Sequence, residues 1–281
     1  MSNKRCSYAA GAIAAYRRSA SLITIIGNTV IDRTNLLGIP IDKVRYDSML
    51  HVLEELITRG GGKIVAPVNV DIMNKAHDNP VLAKFLREAD VIHSDGAGVV
   101  WGSALIGDAL PERVTSITLL WRLAERWNDG SRSLYFLGGP PGMAEAARDA
   151  IHARYPNVRI VGCHQGHLST PELVESALSD IEQSRPDLLL VGFGSPIQEE
   201  FIVEHRERLN VVPVIWPVGA LTSHIAGLHP RAPKLMRKAG AEWLWRLILE
   251  PRRLWRRYIL GNPIFMSRVL WFRFFGNRVA H

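Results

Sequence analysis

Asp95 is the acid in this sequence best placed to do chemistry. It stands in the stretch ADVIHSDGAGVVWGSALIGDALPER, residues 89–113, where a short apolar run with Val91 and Ile92 stops at Ser94-Asp95-Gly96. Gly98 follows, and a second apolar run, Val99 to Ile106, leads towards Arg113. The pattern is that of a buried strand, a glycine-containing turn and a helix. Such a turn sets the acid in the crevice beyond the strand's carboxyl end, where open α/β sheets bind ligands. Gly96 and Gly98 permit close backbone approach, and the first N–H groups of the helix can meet an anion. A carboxylate in that position suits a general base. It equally suits a helix cap, and spacing alone leaves both readings open.

Other candidates gather around it. Asn69 and Asp71 end the preceding β-branched run, Lys63–Val68, and could share the crevice; each alone also reads as a cap or turn residue. Arg113, after Leu-Pro-Glu, suits bidentate contact with a carboxylate or phosphate, or a solvated surface position. Two glycine turns follow apolar runs: Gly138-Gly139-Pro140-Pro141-Gly142 and Gly192-Phe193-Gly194-Ser195-Pro196. The first resembles a phosphate-binding turn, but neither G-x-G-x-x-G nor G-x-x-x-x-G-K-[ST] occurs. The histidines show no H-x-x-x-H pairing and there is no Cys-x-x-Cys, so no metal site is expected. With no D-x-D pair either, the charge of a diphosphate leaving group would fall to arginines or helix N-termini.

These residues need a frame, and hydrophobic periodicity supplies one. Asn35–Val44 reads as a strand with a turn, and Asp47 to Arg59 as a helix ended by Gly60-Gly61-Gly62. Strands are expected at Lys63–Val68, Ser133–Leu137, Val158–Gly162, Asp187–Val191 and Val211–Trp216. Helices are expected at Ile72 to His77, Val81–Glu88, Ser116 to Trp127, Met143 to Arg154, Pro171–Gln183 and Gln198 to Leu209. Strand, glycine turn and helix thus recur in order. That alternation predicts an α/β, Rossmann-like, mostly parallel sheet with helices on both faces, its glycine turns converging on one rim.

The charge is segregated. The net +7 resides in the last 54 residues, Leu228 to His281, where 12 Lys/Arg face 2 acids; the first 227 residues carry −3. Leu235 to Leu249 and Arg252 to Leu260 read as helices separated by Pro251, and Phe265–Phe275 adds further aromatics. Trp243, Leu254, Trp255 and Tyr258 alternate there with Arg246, Arg252, Arg253, Arg256 and Arg257. Interleaved aromatic and basic residues fit a helical appendage docked on an anionic membrane surface, and no nucleic-acid recognition motif competes with that reading. No apolar run reaches the length of a membrane span. Cys6 and Cys163 form neither a disulfide framework nor a ligand cluster. The expected organisation is a mobile N-terminal extension over residues 1–30 (a signal-like leader is the alternative), a Rossmann-like domain over 31–227 and the appendage over 228–281.

The segments ADVIHSDGAGVVWGSALIG, LPERVTSITLL, LYFLGGPPGMAEAA, PDLLLVGFGSPIQEEFI and HPRAPKLMRKAGAEWLWRLILEPRRLWRRYILGNPIF resemble, in content and order, the TagA/WecG/CpsF glycosyltransferases, glycosyltransferase family 26. The resemblance implies an inverting, metal-independent enzyme without a cofactor. It would move a sugar from a UDP-sugar to a polyprenyl-diphosphate-linked saccharide, peripherally at the inner face of the bacterial membrane, for surface polysaccharide assembly. It implies the base at Asp95 and substrate contacts at Asn69, Arg113 and Gln198; Asp71, Gly96, Gly138, Gly139 and Gly194, at the strand ends and turns read above, are the further expected contacts. Arg246, Arg253 and Arg256 would meet the diphosphate, and self-association into a homo-oligomer is implied as well. The chain departs from the family's pattern at Pro67, at Asp71, at Ser116 and Thr118 of the R-V-x-G-x-D segment, and at Thr222-Ser223-His224 of the G-A-x-F-D-F segment. Clustered near the expected donor pocket, these departures imply a donor other than N-acetylmannosamine. A non-catalytic, membrane-docked UDP-sugar-binding or scaffold homologue is the alternative.

Overall fold

The computed structural model describes residues 23–275 apart from 28 and 229. Six strands form one parallel sheet: β4 (Lys63–Val68), β5 (Val91–Ser94), β6 (Ser133–Gly138), β7 (Arg159–His164), β8 (Leu188–Gly192) and β9 (Val214–Pro217). Their order across the sheet is β5-β4-β9-β8-β6-β7, every pairing parallel. β4 steps to the edge strand β5, after which the chain crosses to the other half and works back to β9, beside β4. The β4–β9 junction is therefore where the strand order reverses and a ligand crevice opens.

Strands buried on both faces read as unbroken apolar runs, and Leu188-Leu189-Leu190-Val191 is the plainest case. Alternate residues feed two separate cores. On one face Ile64, Ala66, Leu137, Leu189 and Ile215 meet α2 (Val70–Asp78), α3 (Pro80–Glu88), α4 (Ala97–Leu105), α7 (Pro171–Ser184) and α8 (Ile197–Glu204). On the other, Val65, Phe136, Leu190 and Trp216 meet α1 (Tyr46–Arg59), α5 (Ser116–Arg126), α6 (Met143–His152) and the short α10 (Leu221–Ile225). A four-residue helix, α9 (Arg206–Leu209), follows α8 after His205.

A smaller antiparallel sheet precedes this one, in the order β1 (Ile23–Ile26), β2 (Thr29–Leu36) and β3 (Ile39–Asp42). Residues at the end of the expected mobile extension are thus strand residues, and the boundary drawn after residue 30 falls within β2. The part of that extension over residues 1–22 lies outside the described residues. Asp42 joins the two sheets: its Oδ2 accepts from the Ile92 N–H at 2.7 Å, and Oδ1 accepts from Arg33 Nε at 2.9 Å and from the Thr24 hydroxyl. Burial pushes the Asp42 carboxyl above its usual range, against the opposing pull of Arg33.

After β9 the chain forms α11 (Lys234–Lys238) and α12 (Glu242–Leu249), then α13 (Pro251–Trp255), a π-helical turn (Arg256–Leu260) and α14 (Gly261–Phe275). The last three run on without a break. The Gly261 N–H reaches back five residues to the Arg256 carbonyl, so the helix is re-registered just before Pro263, whose ring and missing N–H would disturb a regular turn. Phe265 and Val269 of α14 are fully buried in the same core as β4 and β5. Gly102 of α4 permits that contact, since a Cβ there would lie 3.1 Å from the Phe265 ring.

Candidate active site

The carboxyl ends of β4, β5, β8 and β9 open into a cleft of about 1390 Å³, whose outer wall is the helical appendage. Its floor is made by glycines. A Cβ on Gly138 would fall 2.8 Å from the Gly192 Cα, and one on Gly192 2.8 Å from the Gly219 carbonyl oxygen. Three strand ends thus pack backbone to backbone at the base of the cleft. Gly139 and Gly194, at φ +76° and +86°, turn the chain at the cleft surface, whereas Gly138 packs below it.

Asp95 lies in this cleft, and the base-or-cap alternative resolves into a division between its two oxygens. Oδ1 accepts from the Ser116 N–H at 2.6 Å, at the start of α5, so the acid caps a helix 21 residues further on rather than its own. Oδ2 takes no hydrogen bond among the described residues. His93, two residues earlier, is fully buried with Nδ1 2.9 Å from the Val114 carbonyl oxygen. Facing a carbonyl, Nδ1 carries the proton, and burial holds the imidazolium form down although Asp95 opposes it.

Asn69 caps α2, its Oδ1 accepting from the Asp71 and Ile72 N–H groups at 3.0 and 3.2 Å. It stands against Gly96, where a Cβ would lie 2.9 Å from the Asn69 Cβ. Asp71 pairs with Lys75 at 3.0 Å. Gln198 is buried, and its Oε1 accepts from the Gly194 and Gly219 N–H groups at 3.2 and 2.9 Å. It therefore clasps two glycine turns together. Replacing it by leucine leaves both amides unpaired and is expected to cost about 2–4 kcal/mol, read by urea denaturation.

Arg113 sits at the wall with Nη2 3.3 Å from the Arg237 carbonyl oxygen and 3.5 Å from Glu242 Oε2. Arg231 donates to the Thr118 hydroxyl at 3.1 Å. Burial, with Arg237 and Arg113 nearby, lowers its pKa, and Glu242 opposes the shift. The Nε–H groups of Arg231, Arg237 and Arg257 are buried without a hydrogen-bond acceptor among the described residues, although Arg257 Nε lies 3.7 Å from Asp71 Oδ2. Arg246, Arg253 and Arg256 of the appendage all line the cleft. Arg253 pairs with Glu250, and the Arg256 guanidinium lies 5.3 Å from the centre of the Trp255 ring.

The order of strand, acid, arginine and basic helix extends to the sequence comparisons. The family model described as "Glycosyl transferase WecG/TagA/CpsF family" matches residues 34–279. The chain belongs to this family. Curated relatives from Staphylococcus aureus strains MRSA252 and NCTC 8325 / PS 47 are each named N-acetylglucosaminyldiphosphoundecaprenol N-acetyl-β-D-mannosaminyltransferase. Both are 29% identical over 248 residues, covering 86% of this chain and 95% of their own. Like other members of the WecG/TagA/CpsF family, the chain is a hexosyltransferase.

Within this WecG/TagA/CpsF chain the positions expected to depart from the family pattern fall in or beside the cleft. Pro67 pairs with His93 in the sheet register and lines the cleft with Ser116, Thr222, Ser223 and His224. Thr118 takes Arg231, as above. Sequence reasoning did not single out Arg257, whose guanidinium reaches Asn69 Oδ1 at 3.5 Å and Asp71 Oδ2 at 3.7 Å. Its place in the run RRLWRRY, four residues after Arg253 and so on the same helical face, was the available signal. Trp243 and Tyr258, 5.9 Å apart between ring centres, also line the cleft. Among the described residues no three His, Cys, Asp or Glu side chains converge as metal ligands.

Proposed function

We propose that this transferase moves a hexose from a UDP-sugar to the saccharide of a polyprenyl diphosphate, with inversion at the anomeric carbon. One observation carries the reading: Asp95 holds one oxygen fixed on Ser116 and leaves the other open to a cleft rich in guanidinium groups. Oδ2 takes the proton of the acceptor hydroxyl as that oxygen attacks the anomeric carbon from the face opposite the diphosphate. The bond from the anomeric carbon to the diphosphate breaks, and UDP leaves with the electron pair. Its growing negative charge is met by Arg113, Arg246, Arg253 and Arg256 and by N–H groups of the glycine turns. The two sheets and their helices, up to residue 227, form the transfer domain, and the segment from 228 onward closes the cleft. The relatives are named for N-acetylmannosamine transfer; because Pro67, Ser223 and His224 line the cleft here, we expect a different donor sugar.

The test is a transfer assay with purified protein, a panel of UDP-sugars and a short-chain polyprenyl-diphosphate saccharide, in EDTA. Turnover of one donor supports the proposal and names the sugar. UDP binding without turnover of any donor overturns it in favour of a non-catalytic homologue.

A lipid-linked acceptor accounts for the outer surface of the appendage. Among the described residues no helix is long and apolar enough to cross a membrane. Yet Trp255, Ile259, Trp271 and Phe274 are 41–61% exposed along α13, the π-helical turn and α14, with basic residues between them. Such a surface suits the interface of an anionic bilayer at the inner face of the cell membrane. Combined Trp271→Ser and Phe274→Ser substitutions should lower recovery on phosphatidylglycerol vesicles by about tenfold or more, since each half-exposed ring contributes about 1 kcal/mol on burial. Recovery equal to wild type in a sedimentation assay would sink the docking surface.

A further inference from the structure

Trp101 is an expensive side chain to leave in water. It is 48% exposed, it belongs to neither apolar core, and it lines the cleft. Two other tryptophans are exposed among the described residues, Trp255 and Trp271, and both belong to the appendage surface assigned above to the membrane. Trp101 lies instead on α4, the helix that begins two residues after Asp95.

Its surroundings hold it in place. Val99 is buried beneath the helix, and Gly102 is backed by Phe265, so α4 cannot roll. The ring edge is set by Gly240, where a Cβ would lie 2.8 Å from Trp101 Cζ2 and 2.9 Å from the Ala97 Cβ. Gly240 and its neighbour Glu242 reach the cleft from the appendage. Domain and appendage thus hold one flat aromatic surface at the cleft wall.

The strand order says which substrate this surface serves. The glycine turns after β6, β8 and β9 are the places where backbone can approach a nucleotide diphosphate, and they occupy the middle and far half of the rim. β5 is the edge strand on the other side, with Asp95 just past its end and α4 starting two residues later, packed against β5 and α14. A hydroxyl that gives its proton to Asp95 and attacks away from the diphosphate must approach from the α4 side. From Ala97 to Trp101 α4 rises about 6 Å, close to the width of one pyranose ring. Pyranoses present a face of axial C–H bonds, slightly positive, to which the negative face of an indole is complementary.

We propose that Trp101 is the platform on which the acceptor's sugar ring stacks, placing its hydroxyl at Asp95. The inference rests on the transferase reading above and deepens it: Trp101 contacts the acceptor and not the donor, and selects a saccharide with an unsubstituted apolar face.

The experiment is isothermal titration of wild type, Trp101→Ala and Trp101→Phe with farnesyl-diphosphate-linked N-acetylglucosamine and, separately, with UDP. Vesicle sedimentation and steady-state transfer are run on the same three proteins. For Trp101→Ala we expect a loss of acceptor affinity of about tenfold, a matching rise in acceptor KM, and little change in kcat at saturation. Trp101→Phe should recover most of the loss. UDP affinity, thermal midpoint and vesicle recovery should stay at wild-type values. Unchanged acceptor affinity in Trp101→Ala overturns the platform alone, as does a loss confined to vesicle recovery, which would make Trp101 a membrane contact. Equal loss of UDP affinity overturns the acceptor assignment. A wild-type protein that binds UDP but no acceptor overturns both this inference and the transferase reading.

Discussion

Asp95→Asn should lower kcat by about 10²–10⁴-fold while UDP still binds, because only the proton-accepting oxygen is lost. Asparagine keeps a carbonyl oxygen where Oδ1 accepts from the Ser116 N–H at 2.6 Å, so the start of α5 stays capped. The amide nitrogen then replaces Oδ2, the oxygen without a protein partner, and an N–H₂ group cannot take the acceptor's proton. Asp95→Ala removes both functions at once, and should add about 1 kcal/mol of destabilisation from the lost cap. Comparing the two variants separates chemistry from architecture. The measurements are single-turnover transfer, UDP titration and urea midpoint; Asp95→Asn with near-normal turnover would remove the acid from the mechanism. An asparagine variant as destabilised as the alanine would show that the carboxylate charge, not the hydrogen bond, holds α5.

The division of labour at Asp95 also shows where sequence reading stops. A strand, a glycine turn and an acid are local signals, and Val91–Ser94 with Asp95 at its end is where the pattern placed them. Lys63–Val68 was legible to the residue because Gly62 and Asn69 punctuate it on both sides. The partner of Asp95 was not legible: Ser116 is 21 residues away and meets it only because β5 and α5 are brought together by the sheet. Gln198 shows the same limit. The family resemblance marked it as a substrate contact, yet its Oε1 is taken up by the Gly194 and Gly219 N–H groups, from turns after two different strands. The first strand, Ile23–Ile26, is four residues long and passed as part of an extension, since so short an apolar run carries no period. In the appendage the break expected at Pro251 is present, but the separate pieces expected at Arg252 to Leu260 and Phe265–Phe275 are one run through Pro263, because the π-helical turn before it absorbs the mismatch.

Phe265→Ala is the substitution expected to cost most in stability, about 3–5 kcal/mol, because it empties a fully buried aromatic site. The ring fills the space left by Gly102 of α4 and shares its core with Val99, Ile92 and Val68, beside the ends of β4 and β5 that carry Asn69 and Asp95. Loosening it should therefore lower transfer activity as well, through the geometry of the rim rather than through any contact with substrate. The same burial bears on how the appendage is tested. Truncation after Gly227 would strip Phe265 and Val269 from the core together with the exposed aromatic row, so loss of membrane recovery in such a variant would not distinguish docking from unfolding. Arg268 adds to that attachment, donating to Asn74 Oδ1 at 3.0 Å, while Asn74 Nδ2 donates to the Gly261 carbonyl at 2.8 Å. The informative pair is Phe265→Ala against the Trp271→Ser, Phe274→Ser double variant. The first should lower the urea midpoint sharply; the second should leave it in place and lower vesicle recovery. A Phe265→Ala protein within about 1 kcal/mol of wild type would mean that α14 is held by its polar latches and its membrane face, with the aromatic core contact secondary.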